Sequence, residues 1–364
     1  MTAQLSLMVT PTKLTPTAPD DSAEGPPQFY VLRNTVWRDV PLAASAIGRP
    51  SEVKDSIEKK LTAIMSAPPT EAQGALGALA GQFFQVWSKW IPESIQRELD
   101  QLPRAADDPP CVSLYIHPSL EWIPWELMHD GTDFLGVRYV IARLPIVRRG
   151  PASVPAQRHV SRICTFLGEH VMDDAEQTEW EGTFSSLPNG TTVERFPENG
   201  VWPTADTVTQ AAKADILHIT CHGGIQDAVL ETVWTLNHQG LPFTYGIGQA
   251  GVDQMAFADE GPLVFGNACQ SSAGAVTSTG LTPGLAYSFF DKGAAAFVGT
   301  FAPITKTMAL EFATAFYGHL LGESQSVGAA LWHTKSDFSA AGGQDPSWLF
   351  YCLYGAPETR FVVG

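Results

Sequence analysis

Two apolar runs constrain this chain more than anything else in it. One covers residues 216–221 (Ile-Leu-His-Ile-Thr-Cys), the other residues 263–268 (Leu-Val-Phe-Gly-Asn-Ala). Each has the length of a strand and leads straight into a reactive residue followed by small ones. The first gives His222, then Gly223 and Gly224; the second gives Cys269, then Gln270, Ser271 and Ser272. Further strand-like runs lie at residues 163–167, 191–196, 295–300 and 348–354. Segments of helical period separate them, over residues 173–187, 204–213 and 283–291, and at Met308, Phe312, Phe316, Leu320 and Val327, Leu331, Thr334, Phe338. A hairpin is expected within 231–245, turning at 237–240. Such alternation predicts an α/β fold with a mainly parallel sheet flanked by helices. In open sheets of that kind the site lies beyond the carboxyl ends of the strands. His222 and Cys269 both stand at such ends, and a thiol with an imidazole beside it is an activated nucleophile.

The first half of the chain reads less regularly. Residues 1–27 are rich in Thr, Pro, Ala and Asp, which predicts a disordered tail. Residues 28–150 are expected to form an N-terminal α/β half, and residues 158–364 the half that carries His222 and Cys269. Between them, Gly-Pro-Ala-Ser-Val-Pro-Ala-Gln over 150–157 has the composition of a linker. Within the first half, Gln28–Arg33 reads as a strand. Val53, Ile57, Leu61 and Ile64 fall at helical spacing after Ser51, a suitable N-cap. A longer helix carries Leu76, Leu79, Phe83, Trp87 and Trp90 and is stopped or kinked by Pro92. A strand follows over 111–117, then a pair of short strands over 134–145 with a bend near Gly136. In Ile123-Pro-Trp-Glu-Leu127, Pro124 suits a first helical position, and Trp125 and Leu127 are expected to pack the first half against the second.

Composition narrows the function. Lys and Arg number 22 against 38 Asp and Glu, a formal net charge of −16. That balance argues against nucleic acid as the partner, since phosphate binding needs clustered cations. Arg138, Arg143, Arg148 and Arg149 are read as solvated strand and linker charge. No apolar run approaches the roughly 18 residues a membrane span needs, and no secretory core follows the first residues. The five cysteines include no C-x-x-C pair. Cys111, Cys164, Cys221 and Cys352 lie in or at the end of apolar runs and read as small buried thiols, which favours a reducing cytoplasm. His222 directly follows Cys221, an unsuitable spacing for a shared zinc site, and His218 reads as a core histidine. No metal or cofactor is expected. Neither a phosphate-binding G-x-x-x-x-G-K-[ST] loop nor a G-x-S-x-G elbow occurs.

The histidine precedes the cysteine by close to the roughly 50 residues typical of caspases. Glycines after the histidine let a substrate backbone pass close and leave an amide free to face an oxyanion. The chain resembles the CHAT domain, a caspase-like cysteine protease group related to separase and metacaspases. The resemblance rests on Ile123-Pro-Trp-Glu-Leu127, Leu217-His-Ile-Thr-Cys-His-Gly223, Leu263-Val-Phe-Gly-Asn-Ala-Cys-Gln-Ser271, Gly284-Leu-Ala286 with the run from Gly293 to Thr300, and the stretches around Phe312–Leu321 and Ser326–Leu331. It implies Cys269 as nucleophile, His222 as general base and then acid, and the backbone N–H groups of Gly223 and Cys269 as oxyanion hole. It implies that the residue two before the nucleophile helps build the S1 pocket. Here that residue is the neutral Asn267, where relatives that cut after basic residues place Asp. Glu169, Asp253, Asp259 and Glu260 are the further S1 candidates, and a neutral or apolar P1 residue is expected. The resemblance also implies that the N-terminal half, 28–150, is a degenerate pseudo-protease part, and it implies a protein substrate, a separate sensor or activator protein, and a setting in bacterial defence or cell death.

Two other readings follow from the same residues. One is a catalytically silent adaptor that keeps the fold to bind a partner protein. The other is a zymogen opened by self-cleavage within 181–190, 226–239 or 276–280.

Overall fold

The computed structural model describes residues 4–10, 28–33, 36–40, 57, 59, 61, 72–103, 109–117, 120, 123–145, 156–168, 174–185, 187–188, 190–196, 213–226, 231–237, 245–247, 252, 255, 257, 261–269, 271, 275–277, 280–282, 284–342 and 345–364. Strands β1 (Gln4–Thr10), β2 (Gln28–Arg33) and β3 (Val36–Val40) precede helices α1 (Ala72–Trp90) and α2 (Glu93–Asp100). Strand β4 (Cys111–Ile116), a 3-10 turn (Trp125–Leu127), the single turn α3 (Leu135–Arg138) and β5 (Val140–Pro145) follow. Next come β6 (Gln157–His159), β7 (Arg162–Leu167), α4 (Asp174–Thr183), β8 (Thr192–Phe196), β9 (Ile216–Thr220), β10 (His222–Gln226), β11 (Glu231–Asn237) and β12 (Tyr245–Ile247). The remainder is β13 (Leu263–Asn267), β14 (Ala275–Thr277), β15 (Gly280–Thr282), α5 (Leu285–Asp291), β16 (Ala296–Thr300), α6 (Lys306–Tyr317), a π-helical turn (Gly318–Gly322), α7 (Val327–Ala340), a 3-10 turn (Pro346–Phe350), β17 (Tyr351–Gly355) and β18 (Arg360–Val362).

Eleven of these strands form one sheet in the order β3-β2-β1-β4-β5-β17-β16-β13-β9-β7-β8. It is mainly parallel, as expected: the antiparallel pairs are the β1-β2-β3 meander at one edge and β16 with β17. The halves on either side of the linker-like stretch share this sheet, joined where β5 lies parallel to β17, with Ala142 opposite Leu353 and Arg143 opposite Tyr354. Every residue of β9, β13 and β16 is buried, so both faces of the centre are covered, as parallel strands require. Alternation sends successive side chains to opposite faces. Leu263 and Phe265 join Ile216, Val298 and the α6 residues Phe312 and Phe316; Val264 joins Leu217, Phe297 and Phe289 of α5. Each such side chain contributes about 1.5–3 kcal/mol by leaving water. Local signals set the flanking helices. Thr305 accepts from the backbone N–H of Met308 (3.2 Å) to cap α6, and Ser326 accepts from that of Ala329 (3.3 Å) to cap α7.

Several expectations are corrected. The tail predicted for residues 1–27 does not hold at its start. Gln4–Thr10 form β1, which lies inside the sheet between β2 and β4. Leu5, Leu7 and Val9 are buried, and this period of two outweighs the polar composition that surrounds it. The paired strands expected over 134–145 are one strand, β5, preceded by the helical turn α3. The final strand starts later than 348, because Pro346 and the Asp345 cap, which accepts from the N–H of Ser347 (2.8 Å), wind residues 346–350 into a 3-10 turn. Arg143 is not solvated charge: it is 2% exposed and pairs with Glu126, which is 1% exposed. Arg138 is largely buried too and pairs with Asp130 and Asp100; Arg148 and Arg149 lie outside the described residues. Of the first helix, Ile57 and Leu61 are helical and buried, while Ser51, Val53 and Ile64 lie outside the described residues, as do 204–212 and the hairpin turn at 238–240.

His218 is fully buried, with Nδ1 3.1 Å from Tyr317 Oη and Nε2 2.6 Å from Thr220 Oγ1, and burial brings its pKa down to about 3. It is the core histidine the sequence suggested. At the surface, His319 links the π-helical turn to α7, with Nδ1 3.1 Å from Glu323 and Nε2 2.8 Å from Asp337. Burial lowers its pKa, but the bonds and charges of Asp337 and Glu323 outweigh burial and raise it above 6.5. A raised histidine pKa stabilises the fold fully below the unfolded value and ceases to do so as pH rises through the folded one. The unfolding free energy of the wild-type protein, read from urea unfolding, should therefore fall over that window relative to His319→Gln, by at most about 1 kcal/mol because both carboxylates are exposed. Parallel pH profiles for the two proteins would contradict this.

Candidate active site

Strands β9 and β13 are direct neighbours, parallel, and in register from Ile216 opposite Leu263 to Thr220 opposite Asn267. His222 and Cys269 each lie two residues beyond that last pair, so the two chains leave the sheet side by side and at one level. The backbones meet there. A Cβ built on Gly223 would collide with the carbonyl oxygen of Cys269 and stand 3.1 Å from the Cβ of Ala268 and 3.2 Å from the backbone nitrogen of Cys269. Only glycine permits this approach. His222 itself opens β10, opposite Thr235 of β11.

The five cysteines are all free thiols. Four are buried, and Cys269 alone is half-buried. Burial pushes the pKa of Cys111 and of Cys164 up to about 12, and it pushes Cys221 up as well. Thiols held neutral in this way are inert. The Sγ of Cys269 lies 3.7 Å from the carbonyl oxygen of Ile304, and the residue is partly exposed.

The turn that presents Cys269 is fastened to β16. Ser271 donates to the carbonyl oxygen of Gly266 (2.8 Å) and accepts from the backbone N–H of Thr300 (2.8 Å). The hydroxyl of Thr300 donates to the carbonyl oxygen of Ala268 (2.8 Å). Both side chains are completely buried. Gly299 gives Ser271 its room, since a Cβ there would stand 2.6 Å from Ser271 Oγ. Sequence reading missed Ser271 and Thr300 as supports. The available signal was a hydroxyl residue at the end of a strand-length apolar run, level with the cysteine turn.

Asn267, expected to help build S1, is 2% exposed, and both ends of its amide are taken. Its nitrogen donates to the carbonyl oxygen of Ala309 (2.8 Å), and its oxygen accepts from Tyr351 Oη (2.7 Å). Glu169, Asp253, Asp259 and Glu260 lie outside the described residues. No group of three or more His, Cys, Asp or Glu among the described residues could hold a metal ion, and no described helix is long and apolar enough to cross a membrane.

A family model, the CHAT domain, matches residues 85–348. No curated protein matches the chain in sequence. Among solved structures, separase in a Saccharomyces cerevisiae separase–securin complex is similar to 100% of this chain at 11% identity, with a TM-score of 0.56. The match takes up 30% of the separase chain, so this chain spans under a third of that relative's length. RgpB of Porphyromonas gingivalis, in a complex of its pro- and mature domains, is similar to 85% of this chain and 78% of its own, at 11% identity and a TM-score of 0.48. At such identities the likeness to separase is one of fold: a mainly parallel caspase-like sheet covered by helices.

Proposed function

The chain belongs to the CHAT domain family, and from that premise we propose that it is a cysteine endopeptidase working through Cys269 and His222. The observation that carries this reading is the meeting of the two strand ends, where the backbone of Gly223 rests on that of Cys269. In the proposed reaction His222 takes the thiol proton and the Cys269 sulfur attacks the scissile carbonyl carbon. The N–H groups of Gly223 and Cys269 stabilise the oxyanion. His222 then protonates the leaving amine, and water hydrolyses the thioester, regenerating the thiol.

The absence of a charge at Asn267, two residues before Cys269, supports a neutral or apolar P1 residue over a basic one. A separate protein is proposed to hold or release the activity, in a bacterial defence or cell-death setting. The solved separase is itself a complex with securin, which supports a protein partner.

The test maps new protein N-termini in a lysate of the source cells after addition of the wild-type chain or of His222→Ala. Loss of the general base should slow cleavage by about 10²–10⁴-fold. New N-termini should therefore appear with the first protein and be missing with the second. Identical maps rich in new N-termini would exclude His222 as the base.

A further inference from the structure

We propose that Thr300 is a positioning residue that aims the backbone N–H of Cys269 at the oxyanion, an inference that rests on Cys269 being the acyl acceptor. The carbonyl oxygen of Ala268 accepts two bonds. One comes from the backbone N–H of Ser271 (3.2 Å) and closes the turn on itself. The other comes from the hydroxyl of Thr300 (2.8 Å), which stands on the neighbouring strand β16. The first bond suffices to make a turn. The second fixes the plane of the Ala268–Cys269 peptide relative to the sheet.

A trans peptide is planar, with its C=O and N–H pointing in opposite directions. A hydroxyl that holds the Ala268 oxygen towards β16 therefore turns the Cys269 N–H away from β16. The side it faces is that of β9, the other neighbour of β13. Gly223 lies on that side, with its built Cβ 3.2 Å from the Cys269 nitrogen. The Thr300 side chain cannot turn away and still satisfy its neighbours. It is fully buried, and its own N–H is engaged by Ser271, which in turn donates to Gly266. One residue thus grips both ends of the turn, and the amide that emerges between them is directed without any side chain touching it.

Two electrophiles separate this role from simple support of the fold. p-Nitrophenyl acetate acylates Cys269 through a tetrahedral oxyanion: the sulfur–carbon bond forms, the carbonyl oxygen takes the charge, and p-nitrophenolate leaves. Iodoacetamide alkylates the same sulfur by displacing iodide and forms no oxyanion. In Thr300→Val the acylation rate at Cys269 should fall about 100-fold, the usual effect of losing one oxyanion donor, while alkylation stays within about two-fold. Thr300→Ser, which keeps the hydroxyl, should restore acylation. If the valine variant does not fold, Thr300→Ala removes the same donor without setting a methyl group against the Ala268 oxygen. Unchanged acylation, or acylation and alkylation falling together, would overturn the proposal. The outcome is independent of whether a protein substrate is cut. A Thr300-dependent acylation rate without any proteolysis would remove the peptidase reading and leave this one standing.

Discussion

Replacing Cys269 by alanine should abolish proteolysis and leave the fold intact. On the proposed mechanism, loss of the nucleophile costs about 10⁶-fold in kcat. Stability should move by no more than about 0.5 kcal/mol. The residue is half-buried, and among the described residues its sulfur makes a weak 3.7 Å contact to the Ile304 carbonyl. The bonds that hold its turn run through Ser271, Thr300 and Asn267, none of which uses Sγ. Cleavage assays and urea unfolding on the same preparation decide the matter. Retained cleavage would end the assignment of Cys269. A large drop in stability would make the residue a packing group and the lost activity uninformative.

Arg143→Met should produce the largest loss of stability. The guanidinium meets Glu126 through two bonds, Nε to Oε1 at 3.0 Å and Nη2 to Oε2 at 2.5 Å, and also donates to the carbonyl oxygen of Ile123 (3.2 Å). Burial alone would lower its pKa, but the charge and bonds of Glu126 outweigh that and keep it protonated. Removing the cation leaves a carboxylate buried beside apolar groups, which costs about 3–5 kcal/mol. Lys335, whose charge already interacts with Glu126, is anchored on the Tyr351 carbonyl (2.6 Å) and burial lowers its pKa to about 8, so it offsets only part of the loss. The double variant Arg143→Met with Glu126→Leu should recover most of the loss, because apolar groups of similar volume substitute well for a buried pair. Chemical unfolding of the three proteins tests both statements. A loss of less than about 1 kcal/mol in the single variant would show that water reaches Glu126.

The central sheet was legible because its strands are short, apolar and bounded by turn residues, and because helical periods fall between them. β9, β13 and β16 were each placed to within a residue or so. The adjacency of His222 and Cys269 was legible only as a consequence of fold type: two parallel strands end at one edge, and the register then sets both residues level. The remainder depends on contacts distant in sequence. β1 is a seven-residue strand whose pairing partner begins at Cys111, so its composition resembles a tail while its alternation fits a sheet. Glu126 and Arg143 stand seventeen residues apart in sequence, and nothing local shows that their charges are spent on each other. Asn267 stands two residues before Cys269 in the motif, and nothing local shows that Tyr351 and Ala309 claim its amide. Tertiary hydrogen bonds of this kind leave no periodic trace.

The position of β17 bears on the order in which the protein becomes competent. It fills the gap between β5 and β16, and its first residue, Tyr351, reaches the amide beneath the nucleophile turn. Chains emerge from the ribosome N-terminus first. Until residues 351–355 are released, β5 and β16 have no strand between them, and Asn267 lacks one of its two anchors. A growing polypeptide that already displays Cys269 is therefore still unassembled around it.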